Sequence, residues 1–272
     1  MPRYGASEPE PKIFTAILVG LLIGTLSMLA AKGVASYLTM SEPAKVRLAP
    51  EKLSRLRPLL EAESPSLRYR AFSSGIQAGT PLYNAIMAAQ PELLDHYEEI
   101  ASKQTDVQWR ADVHFRRVSE VGPITSLLRV EYLYRNAGLH ELKYASSMLN
   151  RLRDGTFELS DLFLDDTASR LRLNARLCKA VSAEKKSRIG AVTFRGKAID
   201  CEASPDMDFI EGPPFALKAN EQSTRFEGIY FYYEPGRIGA RQEGEYIVFI
   251  PIGDIADMIH PNYRSLFPKN PD

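Results

Sequence analysis

Between residues 106 and 118 apolar and polar positions alternate. Val107, Trp109, Ala111, Val113 and Phe115 fall on one side, and Gln108, Arg110, Asp112, His114 and Arg116 on the other. A period of two predicts a half-buried antiparallel strand with Trp109 in the core. Residues 124–135 repeat the theme through Leu128, Val130, Tyr132 and Tyr134. After the turn Asn136-Ala137-Gly138 a further strand is expected from about His140 to Leu152, closed by a tight turn at Arg153-Asp154-Gly155. Residues 67–72 read as an earlier strand. Near the C-terminus Ile229, Phe231 and Tyr233 alternate with Tyr230 and Tyr232, and Tyr246, Val248 and Ile250 begin a partner strand. The link between them carries Pro235, Gly236, Gly239 and Gly244, so the pair reads as a hairpin with a long connection. Pro251 stops the second strand, and Asp254 is placed to cap a short helix over 254–259.

Other stretches carry the helical period. Leu82, Ile86, Ala89, Leu93, Tyr97 and Ile100 form one face of a helix over 81–103, with a kink or break at Pro91 and His96 half-buried beside the stripe. A second helix is expected from Asp166 to about Lys185, with Leu171, Ala175 and Cys178 as its apolar row and Leu177 and Val181 alongside. Leu53, Leu56 and Leu60 predict a short helix over 51–62. Strands grouped apart from helices point to an α+β fold, with antiparallel sheets packed on two main helices.

A different pattern precedes all of this. From Ile13 to Ala31 the chain has no charged residue. At 1.5 Å per residue that is long enough to cross a hydrocarbon core of about 30 Å. The run is read as an uncleaved N-terminal transmembrane helix; a cleaved signal peptide and a buried soluble helix are the alternatives. Gly20 and Gly24 lie four apart in it, a weak pattern for helix pairing. Positive charges lie on both sides of the run, so charge bias alone leaves its orientation open. Residues 36–66, with Pro43, Pro50, Pro58 and Pro65, read as a stalk.

Charge changes the picture mainly by exclusion. The 272 residues carry 34 Lys plus Arg against 34 Asp plus Glu. No global basic field draws such a chain to nucleic acid. The four histidines, His96, His114, His140 and His260, form no close metal-ligand pair, and no zinc site or other cofactor is expected. Asp161, Asp165 and Asp166 stand just before the second helix, where capping and the helix dipole explain them. Asp206 and Asp208 share a proline-rich loop with Glu211, without the glycine and terminal glutamate of a calcium loop; they are candidate ligand-facing residues. Tyr230 and Tyr232 are read first as sheet packing and second as a stacking surface for sugars or a protein. No serine-nucleophile or phosphate-loop motif is present, and no catalytic residue is assigned.

The run 138–163, GLHELKYASSMLNRLRDGTFELSDLF, resembles a junction of the PdaC/RsiV-type extracytoplasmic domain family. Gly138 and His140 match its first turn, Gly155 its second, and Leu159, Asp161, Leu162 and Phe163 its closing segment. Ala137 departs from the glycine common at that place. The hairpin FYYEPGRIGARQEGEYIVFIPIGDI resembles the family's last two strands, so the likeness spans about residues 67–259. The family occurs beside the catalytic part of a peptidoglycan deacetylase and as the sensor of lysozyme-responsive anti-sigma factors.

The resemblance implies an envelope-facing domain whose ligand is unassigned, with peptidoglycan or a lysozyme-like protein as the partners it points to. A cell-wall-modifying enzyme and a purely structural envelope protein are the rival readings. His140, in the family turn, is read as structural before ligand-facing. The expected layout is a cytoplasmic tail at 1–12, a transmembrane helix at 13–35, a stalk at 36–66, and an exported domain in two halves, 67–163 and 164–272, on the outer side of a bacterial inner membrane. Cys178 and Cys201 are the only cysteines. Export to an oxidising compartment would join them in a disulfide; two separate buried thiols are the alternative.

Overall fold

The structure, a computed structural model, describes residues 53, 56–104, 106–136, 138–151, 156–189, 201 and 213–268. Residues Arg47–Asp272 form one unit, to which every described element belongs; residues 1–46 lie outside the described residues. The expected anchor from Ile13 to Ala31 therefore lies outside them too. Among the described residues, no helix is long and apolar enough to cross a membrane.

The larger sheet contains six strands in sequence order: β1 (Leu60–Glu63), β2 (Leu67–Ser74), β3 (Trp109–Val121), β4 (Ile124–Arg135), β5 (Gly138–Asn150) and β6 (Thr156–Phe157). Every neighbouring pair is antiparallel except β2 and β3, which run parallel with Leu67 opposite Trp109. The sheet is thus mixed, a correction to the antiparallel expectation. Two helices, α1 (Pro81–Ala88) and α2 (Gln90–Ser102), occupy the crossover that a parallel pair requires. Thr80 caps α1, accepting a bond from the Tyr83 N–H at 3.2 Å, and Pro81 follows at the first helical position. The expected break comes at Ala89, with Pro91 just inside α2. There the Gln90 amide donates to the Ile86 carbonyl at 2.8 Å and accepts from the Tyr69 hydroxyl at 2.8 Å.

The helix expected over 51–62 is corrected at its end. Leu53 is helical, but Leu60–Glu63 is a strand paired with β2, so the sheet starts inside the segment read as a stalk. The helical spacing of Leu53, Leu56 and Leu60 thus runs across two elements.

The smaller sheet is an antiparallel meander of β7 (Phe215–Ala219), β8 (Phe226–Tyr233) and β9 (Tyr246–Pro251). β8 and β9 form the expected hairpin. Past Pro251 the chain makes 3-10 turns at Ile252–Asp254 and Ala256–Met258, and Asp254 ends the first turn without capping a helix. In chain order the one-turn helix α3 (Leu159–Leu162) and the long helix α4 (Thr167–Ile189) come between the two sheets.

Two apolar clusters hold these layers. One face of the large sheet packs Tyr69, Trp109, Val113, Phe115 and Leu133 against Ile86, Tyr97 and Ala101 of α1 and α2. The other cluster joins Val121, Ile124 and Met148 to Leu173, Leu177 and Val181 of α4 and to Phe231, Val248 and Ile250 of the small sheet. The predicted halves therefore share a core. On the second face of β3, Asp112 and His114 are buried, where alternation placed them in solvent: Arg70 donates to both Asp112 oxygens at 2.8 Å, and His114 meets Ser74 of β2. A bulge between Arg117 and Ser119 shifts the register and carries Ser119 and Val121 onto that same face.

The expected apolar row of α4 is also corrected. Leu171 is 62 % exposed and Ala175 lies in solvent, while Leu173, Leu177, Cys178 and Val181 face inward. His96, expected half-buried, is exposed, its ring edge-on to Tyr97 at 5.4 Å.

Serine hydroxyls couple the two sheets. The Leu217 N–H donates to Ser126 at 3.0 Å, the Phe215 N–H donates to Ser146 at 3.2 Å, and Ser119 donates to the Leu217 carbonyl. β3, β4 and β5 thus each contribute one hydroxyl to the backbone of β7.

Candidate functional site

A groove of about 960 Å³ opens where β5, α3, the start of α4 and the entry to β7 meet. Its apolar lining comes from Leu159, Phe163, Leu173, Pro214 and Phe215, and its polar lining from Ser146, Ser147, Glu158, Ser160, Asp165, Asp166, Thr167 and Arg170. Local rules place most of these groups. The Glu158 N–H donates to the Asp161 carboxylate at 2.8 Å and starts α3. Asp166 accepts the Ser169 N–H and the Ser169 hydroxyl, each at 2.7 Å, in the first turn of α4. The Ser169 N–H, and after it the Ser169 hydroxyl, hold the Asp166 carboxyl below its ordinary range. Capping accounts for Asp161 and Asp166, as expected from sequence. Asp165 lines the groove, is exposed, and makes no side-chain hydrogen bond or ion pair among the described residues.

Apolar walls under a rim of hydroxyls and carboxylates suit a ligand with many hydroxyl or amide groups along an apolar body. Among the described residues no group of three or more His, Cys, Asp and Glu side chains is arranged to hold a metal ion.

Of the ligand-facing candidates, His140, Tyr230 and Tyr232 lie away from this groove. His140 is exposed at the start of β5, its ring edge-on to Trp109 at 5.3 Å, and its carbonyl accepts from Arg241. Tyr230 and Tyr232 are 3 % and 0 % exposed, so neither is presented as a stacking platform. They are packing: Tyr230 lies 4.9 Å from the Phe249 ring and Tyr232 5.1 Å from the Tyr144 ring. Asp206 and Asp208 lie outside the described residues. Cys178 and Cys201 are joined, with their Cα atoms 5.9 Å apart.

Two polar clusters escaped sequence reading. On the covered face of β3, His114 accepts or donates at Nε2 to Ser74 at 3.0 Å. Burial, and after it the nearby Arg116, pushes its pKa down to about 4. Around the β8–β9 link, Glu243 receives the Tyr246 hydroxyl, the Ala240 N–H at 3.0 Å and the Lys185 ammonium at 3.6 Å. Those contacts, the Tyr246 bond foremost, hold the Glu243 carboxyl below its ordinary range. Arg188 donates to the Glu243 and Glu245 carbonyls and lies over the Tyr246 ring, 4.2 Å from its centre. A lysine on a helix and a glutamate in a glycine-rich link look solvent-exposed in sequence, and only packing joins them. The same link covers the outer edge of β5: Glu234 accepts the Tyr144 N–H at 3.2 Å while Arg241 reaches the His140 carbonyl.

No protein-family model matches the chain, and no curated protein matches it. Solved structures are similar to it, two of them members of one family. One is a DUF3298 family protein from Pseudomonas aeruginosa, 15 % identical, covering 79 % of this chain and 93 % of its own, with a TM-score of 0.49. The other is a member of the same family from Bacteroides fragilis, 16 % identical, covering 68 % and 72 %, with a TM-score of 0.41.

Proposed function

We propose that this chain is a binding module of the cell envelope, held at the inner membrane through residues 13–31 with its folded domain on the extracytoplasmic side. The groove between β5, α3 and α4 takes a polar, hydroxyl-rich ligand, of which a peptidoglycan strand is the leading case and a lysozyme-like protein the second. The groove lining carries this reading: hydroxyls and an unengaged Asp165 stand over Leu159, Phe163 and Phe215, the combination that grips a sugar by its edges and its apolar face. The likeness of residues 138–163 and of the closing hairpin to PdaC/RsiV-type domains supports the envelope assignment.

Pull-down of the full-length chain by purified peptidoglycan tests it. Asp165→Ala and Ser160→Trp change exposed groove positions; loss of one charge-assisted bond predicts roughly tenfold weaker retention for the first. The second blocks the groove. Retention that ignores both variants removes the groove from the account. Release of soluble sugar products during incubation replaces the binding reading with the enzyme. Alkaline carbonate extraction of membranes tests the anchor, and recovery of a mature form beginning near Lys32 or Ser36 rejects it.

A further inference from the structure

Helix α4 carries seven basic residues and one acid, Glu184, in a chain whose net charge is zero. Three of its basic residues have acidic partners: Arg172 has Asp257, Lys185 has Glu243, and Arg188 has Glu184. Arg176, Lys179 and Lys186 are exposed and have no acidic partner among the described residues. At 3.6 residues per turn, Lys179, Lys186 and Arg172 fall within an arc of about 40°, with Arg176 on one flank and Leu171 on the other. Leu171 is 62 % exposed, more than Leu139 at 51 %. The neighbouring outward positions are Ala168, Ala175 and Ala183, so only small side chains stand between the cations. The inward side is fixed by Leu173, Leu177 and Val181 and by the bond from Cys178 to Cys201, which holds the face in one orientation.

We propose that this face of α4 lies on an anionic lipid surface. The cations supply attraction to lipid phosphates, and Leu171 supplies an apolar contact at the headgroup boundary. The leucine separates a membrane from a soluble polyanion, which gains nothing from an exposed apolar side chain. Asp254 and Asp257 stand at one rim of the face, and Asp257 is already engaged by Arg172. The proposal does not rest on the groove.

The full-length chain is mixed with vesicles of phosphatidylcholine alone or with added phosphatidylglycerol, and acetylation of Lys179 and Lys186 is followed by mass spectrometry. Lys103, whose side chain is 68 % exposed at the end of α2, is the internal reference. Acetylation of the two α4 lysines is expected to slow at least about fivefold on the anionic vesicles only, and to recover at high salt. Arg176→Glu and Leu171→Gln, both at exposed positions, each relieve the protection. Equal labelling on the two vesicles overturns the proposal. So does equal protection by soluble polyphosphate that Leu171→Gln leaves unchanged, which assigns the face to a polyanion. An inserted anchor would hold the chain equally on both vesicles, so failure of the anchor is read separately, by carbonate extraction.

Discussion

Gly228, within β8, has no room for a methyl group. A Cβ there would lie 2.4 Å from the Ile250 carbonyl oxygen and 2.5 Å from the Phe249 ring. Backbone on one side and a packed ring on the other cannot both give way, so Gly228→Ala should cost about 2 kcal/mol or more. A urea midpoint measures it, with Gly253→Ala, whose added carbon meets nothing within 4 Å, as the control. An unchanged midpoint for Gly228→Ala would reject this packing. His114 carries a second prediction. Its folded-state pKa, about 4, is below the ordinary histidine value of 6.5. The unfolded chain therefore binds the proton first, and stability falls as pH drops from about 6.5 towards about 4. His114→Gln should flatten that part of the stability–pH curve; an unaltered slope would assign it to other groups. At this scale the sequence was partly legible. Trp109 was correctly read as core, because an aromatic in a regular alternation has little else to do. His114 was misread, because period two reports which residues share a face but not whether that face is buried.

The elements themselves were mostly visible, and their errors have physical causes. The spacing of Leu82, Ile86, Leu93 and Tyr97, with Pro91, suffices for α1, α2 and their break. α4 was found, but its inward face was rotated. Of the expected row Leu171, Ala175 and Cys178, only Cys178 is buried, together with Leu177 and Val181 expected beside it and with Leu173. A helix with leucines on two sides offers two solutions to the same periodicity, and the neighbouring sheet selects one. The groove was legible only in its capping acids; Ser146 and Phe215 are brought beside them by tertiary pairing. The serine contacts between the sheets give the prediction proper to this scale. Ser126→Ala removes the acceptor of the buried Leu217 N–H, and an unpaired buried donor costs about 1–3 kcal/mol. Thermal melting should show that loss, whereas a neutral Ser126→Ala would mean that β7 is held by its apolar side chains alone.

Across the whole molecule the described part of the chain is one assembly. Residues from both predicted halves enter the second apolar cluster, and the disulfide ties its long helix to Cys201, 23 residues onward. On the chain-entropy estimate, closing a loop of that length stabilises the fold by about 3 kcal/mol. Reduction should lower the denaturant midpoint accordingly, and alkylation of both thiols in unreduced native protein would contradict the bond. The β8–β9 link has a consequence of another kind. Among the described residues no strand pairs with the outer edge of β5, away from β4, between Gly138 and Ser147, and an open edge of that length is a template on which a second chain can add. Glu234 and Arg241 occupy two of its outward backbone groups, the Tyr144 N–H and the His140 carbonyl. The sheet is thus blunted from within its own chain, and many copies crowded together would sit side by side without seeding a fibril.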